Sequence, residues 1–365
     1  MDKTLLTSAE FWNDLSSAVP GVTELAGHVL FKTSGSTGVP RSVAISKQAL
    51  LVSAAAVNDH LGVTRSSSWG LVLPLYHVGG FGVVARAYEA GSQIHEFGIR
   101  WVPRLFCEWI ETNKISHTSL VPTQVYDLVK ENLKAPDVLR AIVVGGGHLD
   151  PILGQAARDL GWPVLASYGM TEASSQIATQ GLDSLQRPYQ SERIPILPIW
   201  DVKASEDDLF SVSGAALFSG YVSGEIFTPL VSFWFQTSDR VSLVNREIKL
   251  LGRADSQVKI FGELVDLEAI EQELVQLSQG DFMANHFAVV AIPDERAGSL
   301  LVPIFESHVR RDNVKSVLLS YEKKAFGFQR LQPAVFVEKL PRSVLGKLRR
   351  DELVTICRAG IIRLP

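Results

Sequence analysis

Short apolar segments alternate with helical patterns between residues 69 and 168, and this alternation restricts the fold. Residues 141–144 (AIVV) contain no polar side chain, and residues 164–168 (VLASY) contain few. Strands of this kind are buried on both faces, as in parallel sheets that helices cover on each side. Helical patterns at 101–113 and 123–133 fit those covering helices. The sequence therefore predicts parallel α/β units.

The pattern changes twice beyond residue 200. From 202 to 251, short alternating segments replace the helical patterns and predict a small antiparallel sheet or barrel. Beyond Gly252, a strand near 257–262, a helix near 266–277 and further strands predict a compact α+β module. We therefore predict a large N-terminal domain that includes a small β subdomain, residues 1–252, and a small C-terminal domain, residues 253–365.

The composition is typical of a globular protein and argues against several classes of function. The chain has 365 residues, 20% of them charged, and a net charge of -4. This balance gives no basis for binding nucleic acid or an anionic membrane surface. No apolar segment approaches the roughly 20 residues that span a bilayer, and the N-terminus is unlike a signal peptide. The two cysteines lie far apart in sequence, so we expect a reduced, cytoplasmic protein without membrane insertion.

The segment TSGSTGVPR, residues 33–41, combines hydroxyl groups, glycines and a cation between two predicted strands. Hydroxyls and exposed backbone N–H groups donate hydrogen bonds to polyphosphates, and Arg41 adds positive charge. The Gly-Lys-Ser/Thr ending of a Walker A loop is absent. Taken alone, the segment fits an ordinary flexible connection equally well. The candidate phosphate contacts are Thr33, Ser34, Gly35, Ser36, Thr37, Gly38 and Arg41.

A second polar segment, SYGMTE, residues 167–172, directly follows an apolar strand. It is therefore expected at the carboxyl edge of the sheet, where open α/β sheets bind ligands. Tyr168 offers an aromatic face to a base, Thr171 a hydroxyl to a phosphate, and Glu172 a carboxylate to Mg²⁺. A turn with a capping Thr-Glu pair is the alternative interpretation.

Two further segments, in the second half of the chain, contain candidate functional residues. In TSDR, residues 237–240, the Asp239 carboxylate can accept hydrogen bonds from a ribose, although for such an aspartate taken alone a turn at the start of a strand is the more ordinary interpretation. In LPRSVLGKLRR, residues 340–350, a Gly-Lys pair can project the Lys347 ammonium into a site. A solvated basic surface before a final helix is the alternative for Lys347.

The order and spacing of these segments resemble the adenylate-forming enzymes: acyl- and aryl-CoA ligases, luciferases and peptide-synthetase adenylation domains. TSGSTGVPR resembles the family's phosphate loop, SYGMTE its adenine- and Mg²⁺-contacting motif, and FQTSDR its ribose motif. GRADSQVKIFGELVDLEAIE resembles its hinge, and LPRSVLGKLRR its catalytic-lysine motif. The resemblance extends from Val29 to Leu353.

The resemblance implies ATP-dependent activation of a carboxylate to an acyl-adenylate and transfer of the acyl group to coenzyme A, with Mg²⁺. It implies a mobile C-terminal domain that turns about Asp255. Lys347, Thr171 and Glu172 are the implied catalytic residues, with Glu172 as the metal ligand. Besides the phosphate loop, the implied ATP contacts are Gly145, Gly146, Ser167, Tyr168, Gly169, Asp239 and Arg253.

The chain departs from the family's pattern in two ways. Arg41 stands where the family usually has lysine, which keeps the charge but replaces a point charge with a planar fork. Family members also carry a far longer segment before the phosphate loop. We therefore expect an N-terminal domain that is truncated at its N-terminus and lacks most of the family's first subdomain.

The segment LPLYHVGG, together with LVPTQ, GGG and SYGMTEASSQIAT, is similar to the 2-succinylbenzoate–CoA ligase subfamily of menaquinone synthesis. Its substrate has a second carboxylate, for which the sequence offers only His77 and two serine hydroxyls. The implied substrate contacts are His77, Thr123, Gly147, Ser174 and Ser175.

Three other interpretations remain open. The chain is another aryl- or acyl-CoA ligase, an enzyme that loads a carrier protein, or a truncated, non-catalytic binding relative. The partners implied by the resemblance are a small-molecule carboxylate, ATP and CoA. The sequence leaves open whether copies of the chain form a homo-oligomer.

Overall fold

The computed structural model describes residues 6–20, 22–33, 41–254, 257–261, 263–294, 296–343, 346 and 348–361. Cα packing groups the chain into two compact units. The first unit comprises Met1–Thr237 and Ser242–Lys249, and the second comprises Ser238–Val241 and Leu250–Pro365.

A short helix, α1 (Ala9–Asn13), precedes an antiparallel hairpin of β1 (His28–Thr33) and β2 (Arg41–Ser46). Thr33 and Arg41 are paired in this register, so the predicted phosphate segment connects the two strands of a hairpin, as the sequence indicates. Helix α2 (Lys47–His60) follows β2 directly. Its N-cap is Ser46, whose hydroxyl accepts from the backbone N–H of Ala49 at 3.1 Å. The two strands confirm the prediction.

The first unit then builds a six-stranded sheet in the order β4-β3-β5-β6-β7-β8. All neighbouring pairs from β4 to β7 are parallel, whereas β8 is antiparallel to β7. The prediction of parallel α/β units is confirmed. In chain order, the elements are β3 (Ser68–Leu71), α3 (Val78–Ala90), β4 (Gln93–Glu96), α4 (Pro103–Asn113), β5 (His117–Leu120), α5 (Pro122–Lys130), β6 (Ala141–Val144), α6 (Pro151–Asp159), β7 (Val164–Tyr168) and β8 (Ala178–Thr179).

Three of these elements, β4, β8 and α6, have no counterpart in the prediction. Strand β8 has only two residues, too few to form a recognisable pattern. Strand β4 (QIHE) is the sheet's edge and is only partly buried, so it has no apolar pattern to detect. Helix α6 is nine residues long and depends on its cap, because the Asp150 carboxylate accepts from two backbone N–H groups in the first turn. Helix α4 begins at Pro103, later than predicted, because the residue before a proline is held extended.

The predicted β subdomain is present, but as strands of two sheets. The strands are β9 (Ile194–Pro195), β10 (Asp201–Ala204), β11 (Leu209–Ser213), β12 (Gly220–Ser223), β13 (Ile226–Pro229), β14 (Phe235–Val244) and β15 (Glu247–Arg253). β12 and β13 join the first hairpin in the order β1-β2-β12-β13, and the other sheet has the order β10-β11-β14-β15-β9.

The second unit is the predicted α+β module. Its elements are β16 (Gln257–Ile260), β17 (Glu263–Asp266), α7 (Leu267–Ser278), β18 (Phe287–Asp294), β19 (Gly298–Glu306), α8 (Arg311–Glu322), β20 (Val335–Val337) and α9 (Arg350–Ile361). Residues of α7 and α8 share one core cluster with the sheet β18-β19-β20. On α9, Leu353 and Cys357 belong to a separate cluster with residues of the same strands. Successive residues of β18 and β19 point to opposite faces of the sheet, so each strand contributes side chains to both clusters.

Within the described part of the chain, no helix is both long enough and apolar enough to span a bilayer.

Buried His117 makes the stability of the first unit depend on pH. His117 is the first residue of β5, and only 1% of its surface is exposed. The ring lies 5.3 Å from the ring of Trp69. Burial lowers the pKa of His117 to about 4, whereas an unfolded histidine titrates near ~6.5.

We predict that the free energy of unfolding falls by about 3 kcal/mol between pH 6.5 and 4, because in this range only the unfolded chain binds the proton. Replacing the residue (His117→Gln) removes this contribution and flattens the dependence. Urea unfolding followed at several pH values measures the slope. An unchanged slope in the variant would contradict a neutral, buried His117.

Candidate active site

The chain leaves the sheet at the carboxyl end of β7 in a turn that contains much of the predicted nucleotide site. The Ser167 hydroxyl donates to the carbonyl oxygen of Val144 at 2.8 Å, which joins the carboxyl ends of β6 and β7. The ring of Tyr168 is buried and packs edge-on against Phe210 at 5.8 Å. The structure thus brings the predicted glycines Gly145, Gly146 and Gly147 to the same sheet edge as residues 167–172.

Gly169 allows two segments of this turn to cross in contact. A Cβ at Gly169 would lie 1.7 Å from the carbonyl oxygen of Ser175, so no other residue fits. Ser174 and Ser175 both adopt positive φ angles, 52° and 114°, which side chains rarely accept. The buried Ser174 hydroxyl donates to the carbonyl oxygen of Ala216 at 2.7 Å. Of the two predicted serines, Ser174 therefore supports the turn, and only Ser175 is partly exposed.

The Glu172 carboxylate is held by a residue that the sequence did not single out. Tyr221 on β12 donates its hydroxyl to Glu172 Oε1 at 3.0 Å. The Arg41 guanidinium lies over the Tyr221 ring, with Cζ 4.1 Å from the ring centroid. Burial, and then the negative charge of Glu172, raises the pKa of Tyr221. The hydroxyl therefore stays protonated and acts as a donor at neutral pH.

The donor set around Glu172 fits Mg²⁺ bound together with a nucleotide. Among the described residues, no group of three or more histidine, cysteine or acidic side chains could hold a metal by itself. A magnesium ion at phosphates needs only one or two protein carboxylates, since phosphate and water oxygens complete its shell. The Tyr221 hydroxyl bonds to Oε1 of Glu172, so Oε2 is the oxygen that could coordinate Mg²⁺.

Helix α3 carries the predicted His77 at its start. His77 is the N-cap residue, and its ring lies 4.6 Å from the ring of Tyr76. Burial lowers the pKa of His77, so the ring is uncharged at neutral pH. Without an anion beside it, His77 therefore carries no positive charge at neutral pH.

An arginine further along α3 carries a positive charge inside the first unit. Arg86 is 2% exposed and donates to the hydroxyls of Ser119 at 3.4 Å and Ser175 at 3.2 Å. Its guanidinium lies 5.4 Å from the ring of Trp69. Burial lowers the pKa of Arg86 to about 10, so it keeps its charge at pH 7. No carboxylate among the described residues forms an ion pair with it.

Arg86 is absent from the predicted site residues, although the sequence contains a signal for it. The residue lies in the apolar pattern VVARAYEA, where a charged side chain faces the interior. Only the fold shows that Ser119 and Ser175, which are distant in sequence, meet its guanidinium.

The predicted ribose aspartate lies in the second unit and is paired. Arg253 Nη1 donates to Asp239 Oδ1 at 2.9 Å, and Nη2 donates to the Ser238 hydroxyl at 2.7 Å. Asp239 is buried. Two predicted ATP contacts therefore bind each other, and Arg253 fixes the orientation of the carboxylate.

Thr123 lies in the first turn of α5, next to Pro122, which Gly147 approaches. Several predicted contacts lie outside the described residues: Ser34, Gly35, Ser36, Thr37, Gly38, the hinge residue Asp255, Lys347, and the side chain of Thr33.

Known proteins similar to this chain include ligases and their structures. A 2-succinylbenzoate–CoA ligase of Haemophilus influenzae is 34% identical over 251 residues, which are 67% of this chain and 53% of that protein. One of Listeria monocytogenes is 26% identical over 330 residues, 88% of this chain and 68% of that protein. The chain thus spans roughly half to two thirds of these relatives.

The fold has the same architecture as a solved structure of o-succinylbenzoate CoA synthetase from Bacillus subtilis in complex with the acyl-adenylate intermediate OSB-AMP. The two share 22% identity and superimpose with a TM-score of 0.74, over 89% of this chain and 68% of that one. The sequence profile described as "AMP-binding enzyme" matches residues 22–204. Because that match covers half of the sequence, and the strand-end site lies within it, the chain belongs to the AMP-binding enzyme family.

Proposed function

We propose that this chain uses ATP to convert 2-succinylbenzoate into an acyl-adenylate and then transfers the acyl group to CoA, giving 2-succinylbenzoyl-CoA for menaquinone biosynthesis. Family membership and the names of the similar ligases support the reaction class. The observation that carries the substrate assignment is buried Arg86, which has hydroxyl partners but no carboxylate partner among the described residues. The cytoplasmic location expected from the sequence belongs to the same proposal.

In the first step, a substrate carboxylate oxygen attacks the α-phosphorus of ATP, and pyrophosphate leaves. Both reactants are anions, so the site must supply positive charge and hydrogen-bond donors around the phosphates. We assign this role to Arg41, Thr171, Lys347 and the donors of residues 33–38. Mg²⁺, which Glu172 would hold, supplies further charge neutralisation at the phosphates when bound.

Other residues would orient the nucleotide. Tyr168 would offer its ring to the adenine, beside the backbone of Gly145, Gly146 and Gly169. Asp239 would accept from the ribose hydroxyls, and its orientation is fixed by Arg253.

The second carboxylate of the substrate matches the charge of Arg86. A buried charge without an opposite partner costs folding free energy, so its retention points to a ligand that completes the pair. Partly exposed Ser175 accepts from Arg86 through its hydroxyl oxygen, and can donate its own proton to a carboxylate. Ser175 would therefore contact the substrate, with the Arg86 charge directly behind it, while Thr123, Gly147 and uncharged His77 line the remaining pocket.

We predict that replacing the buried cation (Arg86→Met) lowers kcat/KM for 2-succinylbenzoate about 10- to 100-fold. The variant loses the charge behind Ser175 that attracts the second carboxylate, an effect of about the size of a hydrogen bond to a charged group, about 1.5–3 kcal/mol. The value for benzoate should change by less than about 3-fold, because benzoate has no second carboxylate. The melting temperature should be equal or higher, since an unpaired buried charge is removed. Pyrophosphate release with ATP, CoA and a panel of 2-succinylbenzoate, benzoates and fatty acids measures the rates.

The variant Arg86→Lys is the matched control, because it keeps the charge and loses the planar fork; it should retain more activity than Arg86→Met. Equal losses for both acids would contradict the assignment of Arg86. A preference of the wild type for benzoates or fatty acids would identify another CoA ligase. No pyrophosphate release with any acid would favour a non-catalytic relative.

In the second step, the CoA thiolate attacks the acyl carbonyl and AMP leaves. We propose that the mobile C-terminal domain, residues 253–365, presents Lys347 for the first step and turns about Asp255 for the second. This movement would exchange catalytic groups without rebuilding the nucleotide site.

We predict that Lys347→Ala slows acyl-adenylate formation at least about 100-fold, because it removes a cation from the phosphates. Thioester formation from supplied acyl-adenylate should stay within about 3-fold of wild type, since that step does not use the ammonium. Single-turnover assays of each half-reaction measure both rates. Exposed Lys339 provides the control Lys339→Ala, which should affect neither step. Equal loss in both half-reactions would refute two separate orientations.

A further inference from the structure

Tyr221 contacts Glu172 and Arg41, two side chains of opposite charge that both have roles in the proposed reaction. Its hydroxyl donates to Glu172 Oε1 at 3.0 Å, and its ring lies 4.1 Å beneath the Arg41 guanidinium carbon. We infer that Tyr221 is a positioning residue for ATP activation, because one side chain orients both the proposed Mg²⁺ ligand and a phosphate-binding cation. The inference rests on the proposed function and extends it to a residue outside the recognised motifs.

Strand pairing explains why the two contacts occur together. β12 pairs with β2 so that Tyr221 is opposite Val43. Arg41 lies two residues before Val43 and therefore on the same face of β2. This makes Arg41 a diagonal neighbour of Tyr221, within reach of a long side chain. The stack is thus set by the register of the sheet.

The segment before Tyr221 fixes the other end of the arrangement. The backbone N–H of Phe218 donates to the Glu172 carbonyl oxygen at 2.8 Å. The ring of Phe218 packs against the Tyr221 ring at a centroid distance of 4.8 Å. Residues 218–221 therefore hold both the backbone and the side chain of Glu172.

The chemistry of the donor suits a metal ligand. A phenol hydroxyl orients one carboxylate oxygen and leaves the negative charge in place, whereas a lysine or arginine donor would neutralise the charge and compete with Mg²⁺. The planar guanidinium of Arg41 also stacks on an aromatic ring better than an ammonium does. Arg41, at the end of the phosphate segment, therefore suits stacking on the Tyr221 ring better than a lysine at the same position would.

The test separates the hydroxyl from the ring. Tyr221→Phe removes only the bond to Glu172, so we expect the Mg²⁺ concentration for half-maximal ATP–pyrophosphate exchange to rise about 10-fold. The dissociation constant of ATP without Mg²⁺, measured by calorimetry, should change by less than about 2-fold. Tyr221→Leu removes the ring as well and should also weaken Mg²⁺-free ATP binding about 5-fold.

A double-mutant cycle tests the stack on Arg41. Arg41→Lys should weaken Mg²⁺-free ATP binding about 5-fold when Tyr221 is present, and less than about 2-fold in the Tyr221→Leu background. Tyr321→Phe is the control, since it removes a tyrosine hydroxyl bond to the carbonyl oxygen of Gln329 in the second unit. It should leave both readouts unchanged.

The outcomes distinguish this inference from the proposed function. If the wild type neither binds ATP nor exchanges pyrophosphate with any acid, the proposed function fails and the inference fails with it. If the wild type is active and Tyr221→Phe has an unchanged Mg²⁺ requirement, only the role of Tyr221 is overturned. Because Tyr221→Phe keeps the ring, a folding defect in Tyr221→Leu does not remove the test.

Discussion

The contact between Gly169 and the Ser175 carbonyl is the constraint on which the candidate site depends. The chain has to leave β7, turn back and cross itself at a distance that leaves no room for a Cβ. This crossing sets the positions of Thr171 and Glu172 after the end of β7. It also places Ser175 against the Arg86 guanidinium. The two serines that complete the turn adopt positive φ angles, a strain that the surrounding bonds must offset. The residues proposed to contact the nucleotide and those proposed to contact the substrate are therefore connected through one turn.

The sequence predicted the parts of this site that depend on local pattern. Wholly apolar β6 and the alternation around it predicted a parallel sheet, and a parallel sheet brings strand ends to one edge. The hairpin around the phosphate segment followed from its two flanking strands. These predictions hold because the strands and the covering helices are encoded within a few residues.

The sequence could not predict the contacts that depend on tertiary pairing. Tyr221 and Glu172 are 49 positions apart, and Arg86 and Ser175 are 89 apart. Tyr221 reaches Arg41 only because the β12–β13 hairpin joins β2 instead of remaining in the other sheet. A single sequence carries no signal for that choice, since both sheets present the same alternating pattern.

Arg350 in the second unit and Arg86 in the first have partners of different kinds. In the second unit, Arg350 forms a two-pronged pair with Glu271 at 2.8 and 2.9 Å, which satisfies both charges inside the protein. In the first unit, Arg86 donates to two hydroxyls, and Glu172 accepts from a third. Hydroxyls orient a charged group without cancelling its charge. A site that joins an anionic carboxylate to an anionic phosphate needs such charges kept available for its ligands, and this pattern of neutral partners provides them.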